Sequence, residues 1–309
     1  RMRFWNNRRR SIVLVLISAG LLTLLFTEFI GRQLGLCDPV LSMSDPDMEY
    51  RFAPNQECHI RGKTIKINSF SMRSDEVDPH RSHILFLGDS VIWGGTMVDQ
   101  SELASTLVEQ RLGVDRVQVL NVSAGSWGPP NLLAYVRKFG TFDAKTAIIV
   151  VSSQDANDAM TFVPLVGVNS SFPDRKPVSV TLELIRRYIP RFLELATSDS
   201  SVTSDSDQAI DESVMESLKQ LIQELCRQKI RVIVVMHPLR AEVRSSSLNQ
   251  IWSTMKNLVQ DAGGEWVDAR LIYKTHLDRG QQLYRDTIHL NVAGQQALAE
   301  VILWALNSR

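Results

Sequence analysis

The sequence predicts an α/β protein, a three-layer α/β/α sandwich with a doubly wound parallel sheet, preceded by one N-terminal transmembrane helix. Short apolar runs rich in β-branched residues alternate with longer segments of helical periodicity, which is typical of strands covered by helices on both faces. Ahead of them lies one long apolar stretch beside a cluster of arginines. With 309 residues, 44% of them hydrophobic and 22% charged, the chain is long enough for one main globular domain with an attachment.

The charges of the chain balance, with 34 Lys plus Arg against 34 Asp plus Glu. A nucleic-acid-binding domain usually presents an excess of basic side chains. We therefore expect no nucleic-acid partner.

The N-terminus combines a basic flank with an apolar segment. Residues 1–10 contain five arginines and no acid, and residues 11–31 contain Glu28 as their only charge. About 20 apolar residues are enough for a helix to cross a bilayer, and a basic flank stays in the cytoplasm. We therefore predict a single-pass membrane anchor whose downstream domain lies on the outer face, periplasmic or extracellular. A cleaved signal peptide is the alternative, although the apolar stretch is long for one and no A-x-A site follows it.

Residues 32–80 are rich in Pro, Asp, Ser and Met without clear periodicity, which indicates a connector between membrane and domain. Cys37 and Cys58 lie in this segment. In an oxidising compartment they could form a disulfide, and two separate thiols are the alternative that the sequence leaves open.

The main domain is predicted to occupy residues 81–309. Its predicted strands are 83–88, 116–122, 147–153, 230–237 and a weaker 265–269, and its predicted helices are 101–113, 129–139, 211–229 and about 246–262. Ligands of such sheets bind beyond the carboxyl ends of the strands, so the residues that follow each strand are the candidates for chemistry.

Two stretches interrupt the alternation. Residues 159–197 include a helical pattern that Pro190 should kink, and residues 198–210 are Ser/Asp-rich and predicted to be a mobile loop. Together they could form a lid or a docking surface. A tolerated surface insertion is the alternative.

Chemically useful residues follow the strands. Gly88-Asp89-Ser90 comes after the first strand, and Asn157 lies in the loop after the third. Near the C-terminus, Asp286 and His289 precede an amphipathic helix that Asn291 could cap. The topology would bring these residues to one edge of the sheet.

Acyl transfer by a serine needs this set of residue types. A serine hydroxyl becomes a strong nucleophile when an imidazole takes its proton and a carboxylate holds the imidazole, which predicts Ser90, His289 and Asp286 as catalytic residues. Backbone N–H groups around Gly125 and the side-chain amide of Asn157 could stabilise the oxyanion. Ser90 lies in G-D-S-V-I without a glycine two residues later, so the motif is not the GxSxG elbow.

Ser90 and the acids near it also have interpretations other than catalysis. Ser90 alone would suggest a helix cap, and only its occurrence together with an acid and a histidine favours catalysis. Asp155 and Asp158 with Asp286 and His289 could instead ligate a metal. The two former acids share one loop and no further histidine is well placed, so we expect no metal and no cofactor.

Three further residues near the strand ends have two interpretations each. Trp93 and Trp127 flank the two key turns, where they could stack on a sugar or pack in the core. His237 follows the fourth strand, where it could line the cleft or be a buried structural histidine.

The sequence resembles the SGNH (GDSL) hydrolase superfamily over roughly residues 82–305. Four blocks match in order: GDS at 88–90, a Gly-bearing turn in 121–128, Asn157 in DAND, and DTIH at 286–289. The resemblance implies a flavodoxin-like sheet with Ser90 as nucleophile, His289 as general base and Asp286 as its orienting carboxylate. It also implies an oxyanion hole made by the N–H of Ser90, the N–H of Gly125 and the amide of Asn157.

Two departures from the family pattern are present. Many members place the donor glycine where this chain has Ser126, one residue after Gly125, so either backbone could donate. The third block also has Asp155 where glycine often stands.

The predicted location limits the range of candidate substrates. A serine esterase tethered outside a membrane would meet acylated envelope carbohydrate, and anchored members of the family are often associated with O-acetyl groups of extracellular polysaccharide. We therefore expect an O-acyl esterase or acetyltransferase, with a membrane acyl-donor system as a partner if it transfers. A lipase, lysophospholipase or thioesterase and a non-catalytic, membrane-tethered binding protein are the alternatives.

Overall fold

The structure of the protein is a computed structural model, and it describes residues 2–188, 210–245 and 250–308. They form two compact units. Of the described residues, the first comprises 2–39, 58–62 and 175–188, and the second comprises 40–57, 63–174, 210–245 and 250–308. Pro190 and all of the predicted loop 198–210 except Ile210 lie outside the described residues.

The first element is the long helix α1 (Met2–Gln33). Its stretch Ser11–Gln33 has a mean hydropathy of 2.3, and its residues 11–26 are exposed. By length and composition this stretch is able to cross a membrane, although a signal sequence meets the same test. The predicted apolar helix is therefore present, and its placement in a membrane stays a prediction.

The segment 32–80 contains four short strands where the sequence suggested no periodicity. They are β1 (Ser42–Asp45), β2 (Glu49–Phe52), β3 (Gln56–Ile60) and β4 (Lys63–Ile67). β1 and β2 pair antiparallel, with Ser44 opposite Tyr50. Much of this segment is buried in the second unit, including the side chains of Tyr50, Ile65 and Arg73.

The main sheet of the second unit is parallel and has five strands. They are β5 (Ser82–Gly88), β6 (Val117–Ser123), β7 (Thr146–Val151), β8 (Arg231–Met236) and β9 (Glu265–Asp268). Their spatial order is β6-β5-β7-β8-β9, which is the flavodoxin-like order. The predicted α/β fold and all five predicted strands are confirmed.

The helices follow the strands in sequence. They are α2 (Ser90–Trp93), α3 (Ala104–Leu112), α4 (Pro129–Phe139), α5 (Val180–Glu183), α6 (Glu212–Arg227), α7 (Gln250–Asp261), α8 (Arg270–Asp278) and α9 (Val292–Asn307). α9 packs on α3 and α8, and α6 packs on α4 and α7, so helices cover both faces of the sheet. Asn291 caps α9 as expected, because its Oδ1 accepts a hydrogen bond from the Gly294 N–H at 2.9 Å.

Burial of the strands explains their apolar runs. Ile84, Phe86 and Ile148 belong to a core cluster that also contains Val108 of α3 and Leu298 of α9. The strand residues between them, such as Leu85 and Ile149, are fully buried as well. A strand that is buried on both faces needs apolar side chains at every position, which is what the sequence shows.

The first unit contains a close contact between α1 and the start of α5. Glu28 Oε2 accepts hydrogen bonds from Ser179 Oγ at 3.0 Å and from the Val180 N–H at 2.8 Å. A Cβ at Gly31 would lie only 2.2 Å from Val180 Cγ1, so only glycine allows this approach.

The cysteines of the predicted connector are not bridged in the structure. Cys58 is buried with its Sγ 3.6 Å from the Pro39 carbonyl oxygen, and Cys37 is partly exposed. All three cysteines of the chain, each within a described range, are thiols.

Candidate active site

Ser90 lies just after strand β5, which is placed between β6 and β7 in the sheet, and it begins the short helix α2. Asp89 caps this helix, since its Oδ1 accepts a hydrogen bond from the Val91 N–H at 2.8 Å. The turn is tightly packed, because a Cβ at Gly88 would lie 3.0 Å from the Val150 carbonyl oxygen. The Gly-Asp-Ser turn therefore places a partly exposed hydroxyl at the rim of the sheet.

The structure joins three of the predicted site residues in one hydrogen-bonded line. His289 Nε2 lies 2.9 Å from Ser90 Oγ, and His289 Nδ1 lies 2.7 Å from Asp286 Oδ2. A carboxylate only accepts hydrogen bonds, so the proton belongs on Nδ1 and leaves the Nε2 lone pair directed at the serine hydroxyl. This is the arrangement in which an imidazole can take the proton of a serine.

Asp286 is held as a carboxylate by its surroundings. Partial burial raises its pKa, but hydrogen bonds from the backbone N–H groups of His289 and Ile288 and from the His289 ring outweigh this effect. The net pKa of Asp286 is lower than its usual value. Its Oδ1 accepts the two N–H bonds at 2.7 Å and 3.0 Å, which fixes the turn that carries the histidine.

His237, in the segment that follows β8, is hydrogen-bonded to the turn that carries His289. His237 is fully buried, and its Nε2 lies 2.9 Å from the Ile288 carbonyl oxygen while its Nδ1 lies 3.1 Å from the Tyr273 hydroxyl. Burial lowers the pKa of His237 to about 4, so the ring is neutral and its Nε2–H donates to Ile288. His237 is thus a buried structural histidine, which was one of the two interpretations of the sequence.

The turn after β6 lies beside the serine. β5 and β6 are paired up to Gly88 and Ser123, so Ala124 and Gly125 follow β6 where Asp89 and Ser90 follow β5, and Ser126 comes one residue later. Ser126 has a φ of 58°, in the left-handed region that favours glycine. Many members of the resembled family have glycine at this position, so the backbone conformation is consistent with that alignment.

Trp93 and Trp127 pack in the core rather than line an open cleft. Trp127 is 1% exposed, and its Nε1–H donates to the Tyr50 carbonyl oxygen at 3.1 Å. Trp93 is 8% exposed and packs against Phe52, with ring centroids 4.3 Å apart. Of the two interpretations of these tryptophans, core packing is the one that the structure supports.

Asn157 lies in the loop after β7, which flanks β5 on the side opposite β6. Its Oδ1 accepts a hydrogen bond from the Asp211 N–H at 3.1 Å. This contact fixes which end of the amide is the oxygen and turns the Nδ2 end away from Asp211. Asn157 and the Gly125 turn therefore follow the two strands that flank β5.

Two buried acids, Asp89 and Asp155, and the partly exposed Asp158 lie near the nucleophile. Asp155 Oδ2 accepts hydrogen bonds from the N–H and the Oγ of Ser152 at 2.6 Å and 2.8 Å. Burial and the nearby Asp89 and Asp158 raise the pKa of Asp155 well above its usual value. The pKa of Asp89 is also raised, by burial first and by Asp158 as well. No group of three or more His, Cys, Asp or Glu in the described ranges could hold a metal ion.

Tyr50 is the site residue that sequence analysis missed. Its hydroxyl donates a hydrogen bond to the Gly125 carbonyl oxygen. It lies on the four-residue strand β2, whose burial alternates between partial and complete. That alternation is the only local signal, and it is too short to be distinguished from the surrounding polar sequence.

Comparisons with known proteins place the chain in a family. The family model of GDSL-like Lipase/Acylhydrolase matches residues 84–302. No curated protein sequence matches the chain. Similar solved structures include the α/β hydrolase LAE5 from the metagenome of Lake Arreo, Spain, at 17% identity over 74% of this chain and 97% of that chain, with a TM-score of 0.44.

Two further structures are similar at the same level. One is a lipolytic protein of the G-D-S-L family from Veillonella parvula DSM 2008, at 14% identity over 74% of this chain and 100% of that chain, with a TM-score of 0.44. The other is Axe2, an acetylxylan esterase from Geobacillus stearothermophilus, at 15% identity over 75% of this chain and 98% of that chain, with a TM-score of 0.47. Similarity this low says nothing about substrate. The family model, which covers more than two thirds of the sequence, shows that the chain belongs to the GDSL-like lipase/acylhydrolase family.

Proposed function

We propose that the protein is a membrane-anchored serine esterase or O-acyltransferase that acts on O-acyl groups, above all O-acetyl groups, of cell-envelope carbohydrate. The observation that carries the catalytic part is the line Ser90–His289–Asp286, with contacts of 2.9 Å and 2.7 Å. The family gives the reaction class, and the proposal adds the residues, the substrate class and the location.

The proposed mechanism has two half-reactions. Ser90 Oγ attacks the acyl carbon as its proton passes to His289 Nε2, and the carbonyl electron pair moves onto the oxygen. The N–H of Ser90, a backbone N–H of the Gly125 turn and the Asn157 amide would stabilise that oxyanion. His289 then returns the proton to the departing sugar oxygen, which leaves an acyl group on Ser90.

The second half-reaction decides between hydrolysis and transfer. Water or a sugar hydroxyl gives a proton to His289 and attacks the acyl carbon. The bond from that carbon to Ser90 Oγ then breaks, and His289 returns the proton to Ser90 Oγ. The residues needed are the same in both cases. Neither half-reaction requires a cofactor or a metal.

The location rests on the N-terminal helix. Ser11–Gln33 is long and apolar enough to cross a bilayer, and residues 1–10 hold five arginines and no acid. The positive-inside rule supports a cytoplasmic N-terminus and a catalytic domain on the outer face. A domain tethered there meets envelope glycans, which is the reason for proposing acylated carbohydrate as substrate.

One observation favours the second candidate, a lipase, lysophospholipase or thioesterase. The loop that follows Asn157 exposes three apolar side chains: Phe162 at 52%, Val163 at 59% and Val168 at 76%. Exposed apolar side chains near a site of acyl transfer could contact a long acyl chain.

The test is a comparison of acyl groups and acceptors with the full-length chain in detergent micelles. Acetyl and long-chain esters of the same chromogenic alcohol are assayed with and without an acetylated oligosaccharide and a non-acetylated acceptor. The proposal predicts faster turnover of acetyl esters and release or transfer of glycan acetate. Preference for long chains would favour the lipase, and turnover of no ester at all would favour a binding protein.

A further inference from the structure

The strand β2 is tied to the turn after β6 by two hydrogen bonds, and a third joins the residue before β2 to the first turn of α4. The Tyr50 hydroxyl donates to the Gly125 carbonyl oxygen. In the opposite direction, Trp127 Nε1–H donates to the Tyr50 carbonyl oxygen at 3.1 Å, and Asn131 Nδ2–H donates to the Met48 carbonyl oxygen at 3.1 Å. The backbone of the turn is therefore fixed by a strand that is distant from it in sequence.

The first of these bonds determines where one N–H of the turn points. The Gly125 carbonyl and the Ser126 N–H belong to the same peptide unit, which is planar and trans, so they point in opposite directions. Tyr50 lies on the buried side, since its residue is 1% exposed. The Ser126 N–H consequently points to the open side of the turn, and within the described residues it donates to no protein acceptor.

The conformation of Ser126 needs such support. A φ of 58° is uncommon for a residue with a side chain. Conformations of this kind persist where surrounding contacts impose them, and they are frequent at functional sites. The hydrogen bonds of Tyr50 with Gly125 and Trp127 are contacts of that kind.

The Tyr50 side chain is well suited to act as a fixed donor. Its ring packs edge-on against Phe172, with centroids 4.6 Å apart. Burial above all, and then the charges of Glu49 and Asp89, raise the pKa of the Tyr50 phenol far above its usual value. The hydroxyl therefore stays protonated and able to donate in the neutral pH range.

We propose that Tyr50 is a positioning residue which, by holding the Gly125 carbonyl, directs the Ser126 N–H into the oxyanion hole, so that Ser126 rather than Gly125 is the second backbone donor. The inference rests on the proposed acyl-transfer function. The pairing of β5 with β6 supports it, because this pairing places the turn beside Ser90. Tyr50 neither gains nor loses a proton in either half-reaction.

Tyr50→Phe tests this proposal, and Tyr135→Phe is its matched control. Tyr135 is also fully buried, and its hydroxyl donates to a backbone carbonyl, that of Phe70, at 2.7 Å. Both variants lose one buried hydroxyl bond, but only Tyr50 is bonded to the turn. The full-length chain is assayed in detergent micelles with p-nitrophenyl acetate, at a temperature well below the lower of the two unfolding midpoints.

The expected result is a fall in kcat of about tenfold to a hundredfold in Tyr50→Phe with little change in KM, which is less than the loss of a whole oxyanion donor causes. The rate at which a fluorophosphonate labels Ser90 should fall in parallel. Tyr135→Phe should keep the wild-type kcat and labelling rate. Equal activities of the two variants would overturn the proposal for Tyr50 while leaving the proposed function intact. An inert wild-type protein would instead remove the proposed function, and the inference with it.

Discussion

His289 Nε2 lies 2.9 Å from Ser90 Oγ although 199 positions separate the two residues in the chain. The fold brings the two side chains together, because β5 ends just before Ser90 and the turn before α9 carries His289. The contact is the centre of the proposed mechanism, and the following predictions test the groups that support it.

Asp286→Asn is predicted to lower kcat on the order of 10⁴-fold. The amide nitrogen of asparagine would donate to His289 Nδ1, which would place the ring proton on Nε2 and remove the lone pair that faces Ser90. Steady-state kinetics with an acetyl ester measures the effect. Asp268→Asn is the control, because Asp268 pairs with Arg270 at 2.6 Å outside the site. A loss of less than about tenfold would contradict the role given to Asp286.

Asp89→Asn is predicted to change how stability depends on pH. The folded protein raises the pKa of Asp89, chiefly by burial, so between the unfolded pKa near 4 and the raised folded pKa only the folded state binds the proton. Wild-type stability therefore falls as pH rises through this window, by about 1.4 kcal/mol for each unit of the shift. The folded pKa of Asp89 is about 7. Asparagine does not titrate, so the variant should gain stability relative to wild type as the pH rises from about 5 to about 7, and the difference should level off above that pH.

Asp99→Asn is the control for this experiment, because the pKa of Asp99 is shifted in the opposite direction from that of Asp89. Burial raises the pKa of Asp99, but hydrogen bonds from Ser101 and Thr64 lower it more, to about 2. Asp99 is then ionised in both states between about pH 5 and about pH 8, so the difference from wild type should be constant there. Thermal unfolding at several pH values measures both variants. A constant difference for Asp89→Asn as well would contradict the burial effect.

His237→Leu is predicted to destabilise the fold by about 2–3 kcal/mol, because it leaves the Ile288 carbonyl and the Tyr273 hydroxyl buried without their partner. The turn that carries His289 should loosen, so kcat should fall as well. Urea unfolding and steady-state kinetics measure the two effects. His59→Leu, at an exposed position, should change neither. Unchanged stability of His237→Leu would show that the Ile288 contact is unimportant.

The sequence predicts those parts of the fold that are determined by residues close together in the chain. The strands β5, β7 and β8 are mostly apolar because they are buried on both faces, and Asn291 caps α9 through its own neighbours. The meeting of Ser90 with His289 follows from the topology, since residues that follow parallel strands share one edge.

The missed features depend on contacts between distant segments. Tyr50 reaches Gly125 from a strand of four residues, and nothing near Tyr50 in sequence indicates that partner. The burial of Asp89 and Asp155 is equally hidden, because acidic residues in loops are usually exposed. The left-handed backbone of Ser126 was not predicted either, since serine shows no preference for it.

Labelling of the full-length chain by a fluorophosphonate probe tests the central claim most directly. The modified peptide is mapped by mass spectrometry, with Ser90→Ala and His289→Ala as variants and Ser101→Ala as a control at an exposed serine. The account predicts labelling at Ser90 that is lost in both site variants and kept in the control. A folded wild-type protein that does not react, or that reacts equally without His289, would contradict an activated nucleophile at Ser90.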